Sequence, residues 1–127
     1  MAGTLGTITF TEITHGTVKK IKAAWTAGTG DYAGEVEDTT EKYYDGRIIG
    51  VATVPGTAGD QPDDNYNVAV QDDDGIDLLL GNGASRDEAN TEFIAEASCA
   101  GLARSKVTIS IDSAGSGLKG TVYVYIR

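Results

Sequence analysis

Two single-copy side chains could supply nucleophilic chemistry, the lone cysteine Cys99 and the lone histidine His15. A reactive thiolate needs an imidazole within hydrogen-bond reach and a third group that orients the imidazole. Cys99 stands among small residues, from Ala97 to Gly101, which is typical of a buried thiol that packs as a small hydrophobe. His15 precedes Gly16 in a predicted turn. We therefore expect no catalysis by this pair.

Two acidic clusters could bind a hard cation, because Ca²⁺ takes carboxylate oxygens from closely spaced loop positions. The clusters are Asp72, Asp73 and Asp74, with Asp77 nearby, and Asp60, Asp63 and Asp64. An EF-hand loop has Gly at position 6 and Glu at position 12. If Gly75 is placed at position 6, position 12 falls on Gly81 instead of a glutamate. The spacing therefore favours solvated loops over a metal site.

The remaining polar motifs are also more typical of turns and solvated faces than of catalysis. The glycine-rich run 81–85 lacks the Lys-Ser or Lys-Thr ending of a phosphate-binding loop. Asp87 with Glu88, and Glu92 with Glu96, are neighbours in sequence, as carboxylates on a solvated face usually are. We predict no catalytic residue, no metal and no cofactor.

The tyrosines indicate an interaction surface. Tyr123 and Tyr125 alternate with the apolar residues of the last predicted strand, so they should point away from the core, next to Arg127. Tyr and Arg are enriched at protein interfaces. Tyr43 and Tyr44, before a predicted strand, are further candidates. Cross-strand pairing on an exposed face is the alternative explanation of these residues.

The elements that must position these residues are short strands. Alternating or β-branched runs bounded by Gly, Pro and Asp predict strands at 4–13, 17–25, 47–54, 66–70, 76–80, 106–111 and 120–126. Ile21 and Trp25 should point inward. We predict hairpin turns at 72–75 and 113–117. The stretch 88–102 is either one short helix or extended chain.

This pattern predicts an all-β fold in one domain, 1–127. About seven to eight antiparallel strands would form a β-sandwich or a jelly-roll-like barrel. Residues 1–6 would serve as a flexible N-terminal arm.

Composition and charge exclude several classes of partner. The net charge is -9 and the pI is near 4.4, which disfavours binding to nucleic acid or an anionic membrane. No apolar run approaches the roughly 20 residues of a transmembrane helix, and the first ten residues do not resemble a signal peptide. With one cysteine there is no intramolecular disulfide, as expected of a protein made in the cytosol.

The chain resembles small virion proteins of tailed bacteriophages. The resemblance is carried by NYNVAVQDDDGIDLLLGNGASRDEAN at 65–90, by VTISIDSAGSGLKGTVYVYIR from Val107, and by a Lys-rich strand that ends in Ala-Ala-Trp-Thr at 23–26. It covers most of the chain, and none of these runs is a catalytic motif. It implies an all-β, non-enzymatic structural protein, made in the host cytoplasm and located in the virion.

Within that class, the leading role is a capsid decoration, or cement, protein that binds the outer capsid lattice and stabilises the head. Its partners would be the major capsid protein and further copies of itself, with a homotrimer favoured. A head-to-tail connector or tail component that forms a ring is one alternative. Others are a carbohydrate-binding adhesive module that stacks sugars on Trp25, Tyr43 and Tyr44, and a small hydrolase that uses Cys99 and His15.

Overall fold

In the computed structural model, which describes residues 3–127, nine strands are joined by turns and short 3-10 helices. The strands are β1 (Thr7–His15), β2 (Val18–Thr26), β3 (Val36–Thr39), β4 (Tyr44–Pro55), β5 (Asn67–Gln71), β6 (Glu92–Ala95), β7 (Gly101–Ser105), β8 (Thr108–Asp112) and β9 (Lys119–Ile126). The 3-10 helices cover Gly30–Tyr32, Ala58–Asp60 and Glu96–Ser98. The predicted all-β antiparallel fold is confirmed.

The strands form two antiparallel sheets. The larger sheet has the order β1-β2-β9-β4-β6, and β7 pairs with the beginning of β4. The smaller sheet has the order β3-β8-β5. The buried faces of both sheets contribute to one hydrophobic core, as in a β-sandwich.

Period-two alternation builds this core, as the sequence predicts. Ile21 and Trp25 on β2 are 0% and 1% exposed, which confirms their inward orientation. The indole of Trp25 packs on Tyr66, with 5.6 Å between ring centroids. Gly120, opposite Trp25 on β9, leaves room for the indole, since a Cβ there would lie 2.4 Å from its Cζ2. The indole of Trp25 therefore packs on Tyr66 and lies close to Gly120.

The predicted hairpin at 113–117 is wrong. β8 pairs with β3 and β5, whereas β9 pairs with β2 and β4, so this turn carries the chain from one sheet to the other. Ala114 is fully buried, and its amide donates a hydrogen bond to the carbonyl of Gly34. Two strands with one buried face each show the same alternation whether they are neighbours in a sheet or face each other across the core.

The predicted strand at 76–80 is also wrong, although the turn before it forms. The amide of Gly75 donates to the carbonyl of Asp72 at 3.0 Å, which closes the turn. The returning chain makes only an isolated bridge between Asp77 and Gln71. Asp77 then accepts hydrogen bonds from the amides of Leu79 and Gly81, so its carboxylate stabilises a turn there.

The ambiguous stretch 88–102 is extended rather than helical. It contributes β6 and the start of β7, separated by the 3-10 helix at Glu96–Ser98. Ile94 is buried and its neighbour Phe93 is exposed, which is the alternation of a strand. Together with β3, these two strands bring the six predicted strands that form to a total of nine among the described residues, above the seven to eight predicted.

The predicted arm at 1–6 falls partly outside the described residues, which begin at residue 3. Within the described part, Thr4 is bound to the turn before β3. Its amide donates to Oγ1 of Thr29 at 3.0 Å, and its carbonyl accepts from the amide of Thr29 at 2.9 Å. Two hydrogen bonds therefore hold residue 4 against the body of the protein.

Candidate interaction surface

The larger sheet has one face on the core and one face toward solvent, and we call the second the outer face. Antiparallel register places its side chains in rows across five strands. One row is Thr11, Lys22, Tyr123, Ala52 and Phe93, and the next is Ile13, Lys20, Tyr125, Gly50 and Ala95. The predicted outward orientation of Tyr123 and Tyr125 is confirmed, because both lie opposite the buried residues of β9.

The outer face combines apolar and aromatic groups with lysine. Phe93 and Ile13 are 63% and 52% exposed, at opposite edges of the rows. The ring of Phe93 lies across Gly50, where a Cβ would come within 2.2 Å of its Cζ. Nζ of Lys20 lies 5.2 Å from the ring centroid of Tyr123, a cation–π distance. Aromatic residues are enriched at protein interfaces and lysine is depleted there, so Phe93 and the tyrosines are the part of this face that is typical of an interface.

The charge of the outer face has the opposite sign to that of the whole chain. Its strand positions include Lys20, Lys22 and Lys119, and among the described residues of these strands Asp45, exposed near the start of β4, is the one carboxylate that alternates outward. Two further acidic groups approach it from beyond the strands. Glu96 is ion-paired with Arg47 at 3.4 Å, and Asp60 lines a concavity together with Lys119. The face is locally basic on an acidic protein.

The other predicted interface residues lie in different places. Tyr43 is 59% exposed, and Lys106 Nζ lies 5.4 Å from its ring centroid. Tyr44 is buried, because consecutive strand residues point to opposite faces, so its predicted surface position is wrong. Its hydroxyl donates to Oε1 of Glu12 at 2.5 Å, and burial together with this carboxylate raises the pKa of Tyr44 above its usual value.

Arg127 follows β9 and is exposed. Its backbone exchanges two hydrogen bonds of 2.9 Å with Arg47, which extends the pairing of β9 with β4 by one position. The arginine therefore lies beside Tyr125 at the end of the outer face. The predicted set of five residues divides into Tyr123, Tyr125 and Arg127 together, Tyr43 apart, and Tyr44 inside.

The platform for stacking sugars is not formed as predicted. Trp25 is 1% exposed and Tyr44 is 4% exposed, so neither ring offers a face to a ligand. Indole Nε1 of Trp25 is buried without a hydrogen-bond partner among the described residues, and the hydroxyls of Thr53 and Tyr66 are buried close to each other. Burial raises the pKa of Tyr66 to about 12. These aromatic groups serve the core.

The thiol of Cys99 is buried, as predicted, and Sγ contacts the carbonyl of Ala95 at 3.4 Å. Burial, with Asp77 and Glu96 nearby, raises the pKa of this thiol and disfavours the nucleophilic thiolate. His15 is exposed at the end of β1, before the turn to β2. The described partner of the sulfur is therefore a carbonyl, not an imidazole.

The acidic loops use their carboxylates to hold turns. Oδ1 of Asp72 accepts from the amides of Asp74 and Ile76, each at 3.0 Å. Hydrogen bonds from the amides of Ala89 and Asn90 lower the pKa of the Asp87 carboxyl. Across residues 3–127, no three His, Cys, Asp or Glu side chains come together in a way that could hold a metal ion.

A second surface lies on the smaller sheet, and we call it the acidic concavity. It encloses about 390 Å³ between β3, β8 and the chain before β1, and it is lined by Leu5, Gly6, Tyr32, Glu35, Val36, Glu37, Ser110, Ile111 and Asp112. Leu5 is 66% exposed and Tyr32 is 40% exposed. Its lining includes three carboxylates and neither Lys nor Arg. The acidic concavity thus combines apolar side chains with a net negative charge.

Comparisons with known proteins identify no family for this chain. It matches no protein-family model, and no similar protein was found among the curated proteins or the solved structures. No helix among the described residues has the length and apolar character needed to cross a bilayer.

Sequence reasoning missed part of the outer face. Lys20 and Lys22 alternate with inward residues of β2, so period two could have placed them beside the tyrosines had the pairing of β2 with β9 been known. Phe93 was missed because 88–102 was compatible with a helix, in which it would have been a core residue. Ile13 was missed because an isoleucine in a strand is ordinarily assigned to the core.

Proposed function

We propose that this chain is a non-enzymatic structural protein of a tailed-phage virion, and that it decorates the outer capsid lattice and stabilises the head. The observation that carries the protein-binding part is the outer face, where Tyr123 and Tyr125 lie beside lysines and two exposed apolar side chains. The phage and capsid part rests on the resemblance of residues 65–90 and 107–127 to small virion proteins.

The dimensions of the outer face support binding to a protein rather than to a small molecule. Five strands about 4.8 Å apart, with about eight residues at a rise of roughly 3.4 Å, cover an area on the order of 600 Å². One partner in a standard protein interface contributes about 800 Å². A decoration protein also gains avidity from the many equivalent positions of a capsid, so a modest surface per copy is sufficient.

The experiment is cosedimentation of the purified chain with empty, expanded heads of the phage whose genome carries this sequence. We expect saturable binding in a fixed ratio to the major capsid protein, and heads that survive higher temperature when bound. A chain that stays in the supernatant at every concentration contradicts the proposal. A ring that binds only isolated connectors or tails supports the connector role instead.

A further inference from the structure

The chain has two surfaces that are complementary to each other. The outer face has three lysines and exposed apolar groups, and Asp45 is the one carboxylate that alternates outward from its described strand positions. The acidic concavity has carboxylates around exposed apolar groups, and its lining lacks cations. The two surfaces belong to different sheets. One molecule therefore cannot satisfy both by itself, but two copies can.

We propose that copies of this chain bind one another head-to-tail, with the outer face of one copy on the acidic concavity of the next. The inference rests on the proposed function as an assembly protein and deepens it, since it names a second copy as the partner of the outer face. Such a contact is heterologous, so it leaves one free surface of each kind and can continue to a closed ring or an open chain.

Charge determines which surfaces meet. At a net charge of -9, two copies repel each other in most orientations. The orientation that brings Lys20 and Lys22 of one copy to Glu35 and Glu37 of the next replaces repulsion by attraction. All four side chains project from strand or turn positions at the protein surface, and Glu35 and Glu37 are exposed. Opposite charges of this kind fix partner orientation and increase the association rate.

Apolar side chains on both surfaces provide the second component of the proposed interface. Leu5 and Tyr32 are exposed in the acidic concavity, and Phe93 and Ile13 are exposed on the outer face. Burial of exposed apolar surface contributes roughly 25 cal/mol per Å². An association with both components should weaken at high salt without disappearing, because screening acts on charges and not on apolar burial.

A single-stranded nucleic acid is the alternative occupant of a basic face with aromatic rings. The structure favours a protein, because Tyr123 and Tyr125 are half-buried and so offer less ring surface for stacking than exposed aromatic side chains would. Lys20 also already covers the ring of Tyr123. The experiment below includes this alternative as an outcome.

The test is charge reversal followed by mixing. Variant one is Lys20→Glu with Lys22→Glu, and variant two is Glu35→Lys with Glu37→Lys. In sedimentation velocity at low salt, we expect the unaltered chain to sediment above its monomer mass of 13.2 kDa and each variant alone to sediment as a monomer. A mixture of the two variants should associate again, because every contact between them joins opposite charges. Raising NaCl from about 50 to 500 mM should weaken association of the unaltered chain about tenfold.

Matched controls separate surface complementarity from net charge. Lys42→Glu with Lys106→Glu has the same net charge as variant one, and Asp64→Lys with Asp74→Lys has the same net charge as variant two. Neither control changes the outer face or the lining of the acidic concavity. Both should associate like the unaltered chain, and circular dichroism should show that all four variants are folded.

Three results overturn the inference. The first is an unaltered chain that stays monomeric up to about 200 μM, and the second is a mixture of the two variants that does not associate. The third is a monomeric chain that binds an oligo-dT strand through Lys20 and Lys22, which makes the face a nucleic-acid surface. Because no capsid is present in these experiments, their failure leaves capsid binding to be decided by cosedimentation.

Discussion

Replacing Gly120 with alanine tests the packing at the centre of the sandwich. An alanine Cβ would lie 2.4 Å from Cζ2 and 2.8 Å from Cε2 of Trp25. Carbon atoms in favourable contact are about 3.5–4.0 Å apart, so the indole would have to move by about 1 Å. Trp25 is 1% exposed and packs on Tyr66, which is 0% exposed, so the indole has no free space to move into.

Overpacking of this kind costs about 1–3 kcal/mol. Alanine loses less conformational entropy than glycine on folding, which offsets roughly 0.5–1 kcal/mol of this cost. We therefore expect the free energy of unfolding to fall by about 1–2 kcal/mol. Urea unfolding followed by the fluorescence of Trp25, the single tryptophan, measures this directly. With an m-value of about 1–3 kcal/mol per M, the midpoint should fall by roughly 1 M.

Two further variants make the result specific to the indole. Gly59→Ala is the matched control, because a Cβ at Gly59 meets nothing within 4 Å, and its stability should change by less than about 0.5 kcal/mol. In a Trp25→Phe background, with unfolding followed by circular dichroism, Gly120→Ala should lower the free energy of unfolding by less than it does beside Trp25, because the smaller ring leaves room for the Cβ. If Gly120→Ala were as stable as the unaltered chain, the packing described for Trp25 would be refuted.

Three other predictions concern buried groups and the outer face. Because burial raises the pKa of Tyr66 to about 12 from 10.0, the folded protein holds the phenolic proton more tightly than the unfolded chain. The contribution of this hydroxyl to the free energy of unfolding should therefore be fully present below pH 10 and should fall by on the order of 1 kcal/mol per pH unit up to about pH 12. In urea unfolding at alkaline pH, the free energy of unfolding of Tyr66→Phe should fall less steeply with pH than that of the unaltered chain. Tyr44→Phe removes the 2.5 Å hydrogen bond to Glu12 and should lower the free energy of unfolding by about 1–3 kcal/mol. Tyr43→Phe, at an exposed ring, should change it by less than about 0.5 kcal/mol. Equal effects of the two substitutions in urea unfolding would contradict the hydrogen bond. Cys99, 8% exposed and with a raised pKa, should react with iodoacetamide at pH 8 at least about tenfold more slowly in the folded protein than in urea, and equal rates would show that the thiol is accessible.

The faces of individual strands could be predicted from the sequence, because period-two alternation needs only local information. It correctly gave the buried residues of β2, β8 and β9, and it placed Tyr123 and Tyr125 outward. Strand partners depend on contacts between residues far apart in sequence, which local patterns do not encode. The wrong hairpin at 113–117 has this origin, since β8 and β9 alternate correctly but belong to different sheets.

The candidate surface was predicted only in part for the same reason. The tyrosines of β9 were recognised from their own strand, but Lys20 joins them through the pairing of β2 with β9. Tyr44 was misplaced because β4 begins at this residue, three positions before Arg47, where the strand was predicted to start after the Asp45-Gly46 turn signal. The acidic concavity joins Leu5, Glu35 and Asp112, which are too distant in sequence for any local pattern to bring together.

The central claim, that this chain decorates a phage capsid, is tested most directly by cryo-electron microscopy of the virion of the phage whose genome carries the sequence. We predict density for the β-sandwich on the outside of the expanded head, repeated with the symmetry of the capsid lattice. Such density should disappear from particles that lack the gene for this chain. An intact virion whose head lacks this density, or density confined to the tail or to the connector, would contradict the claim.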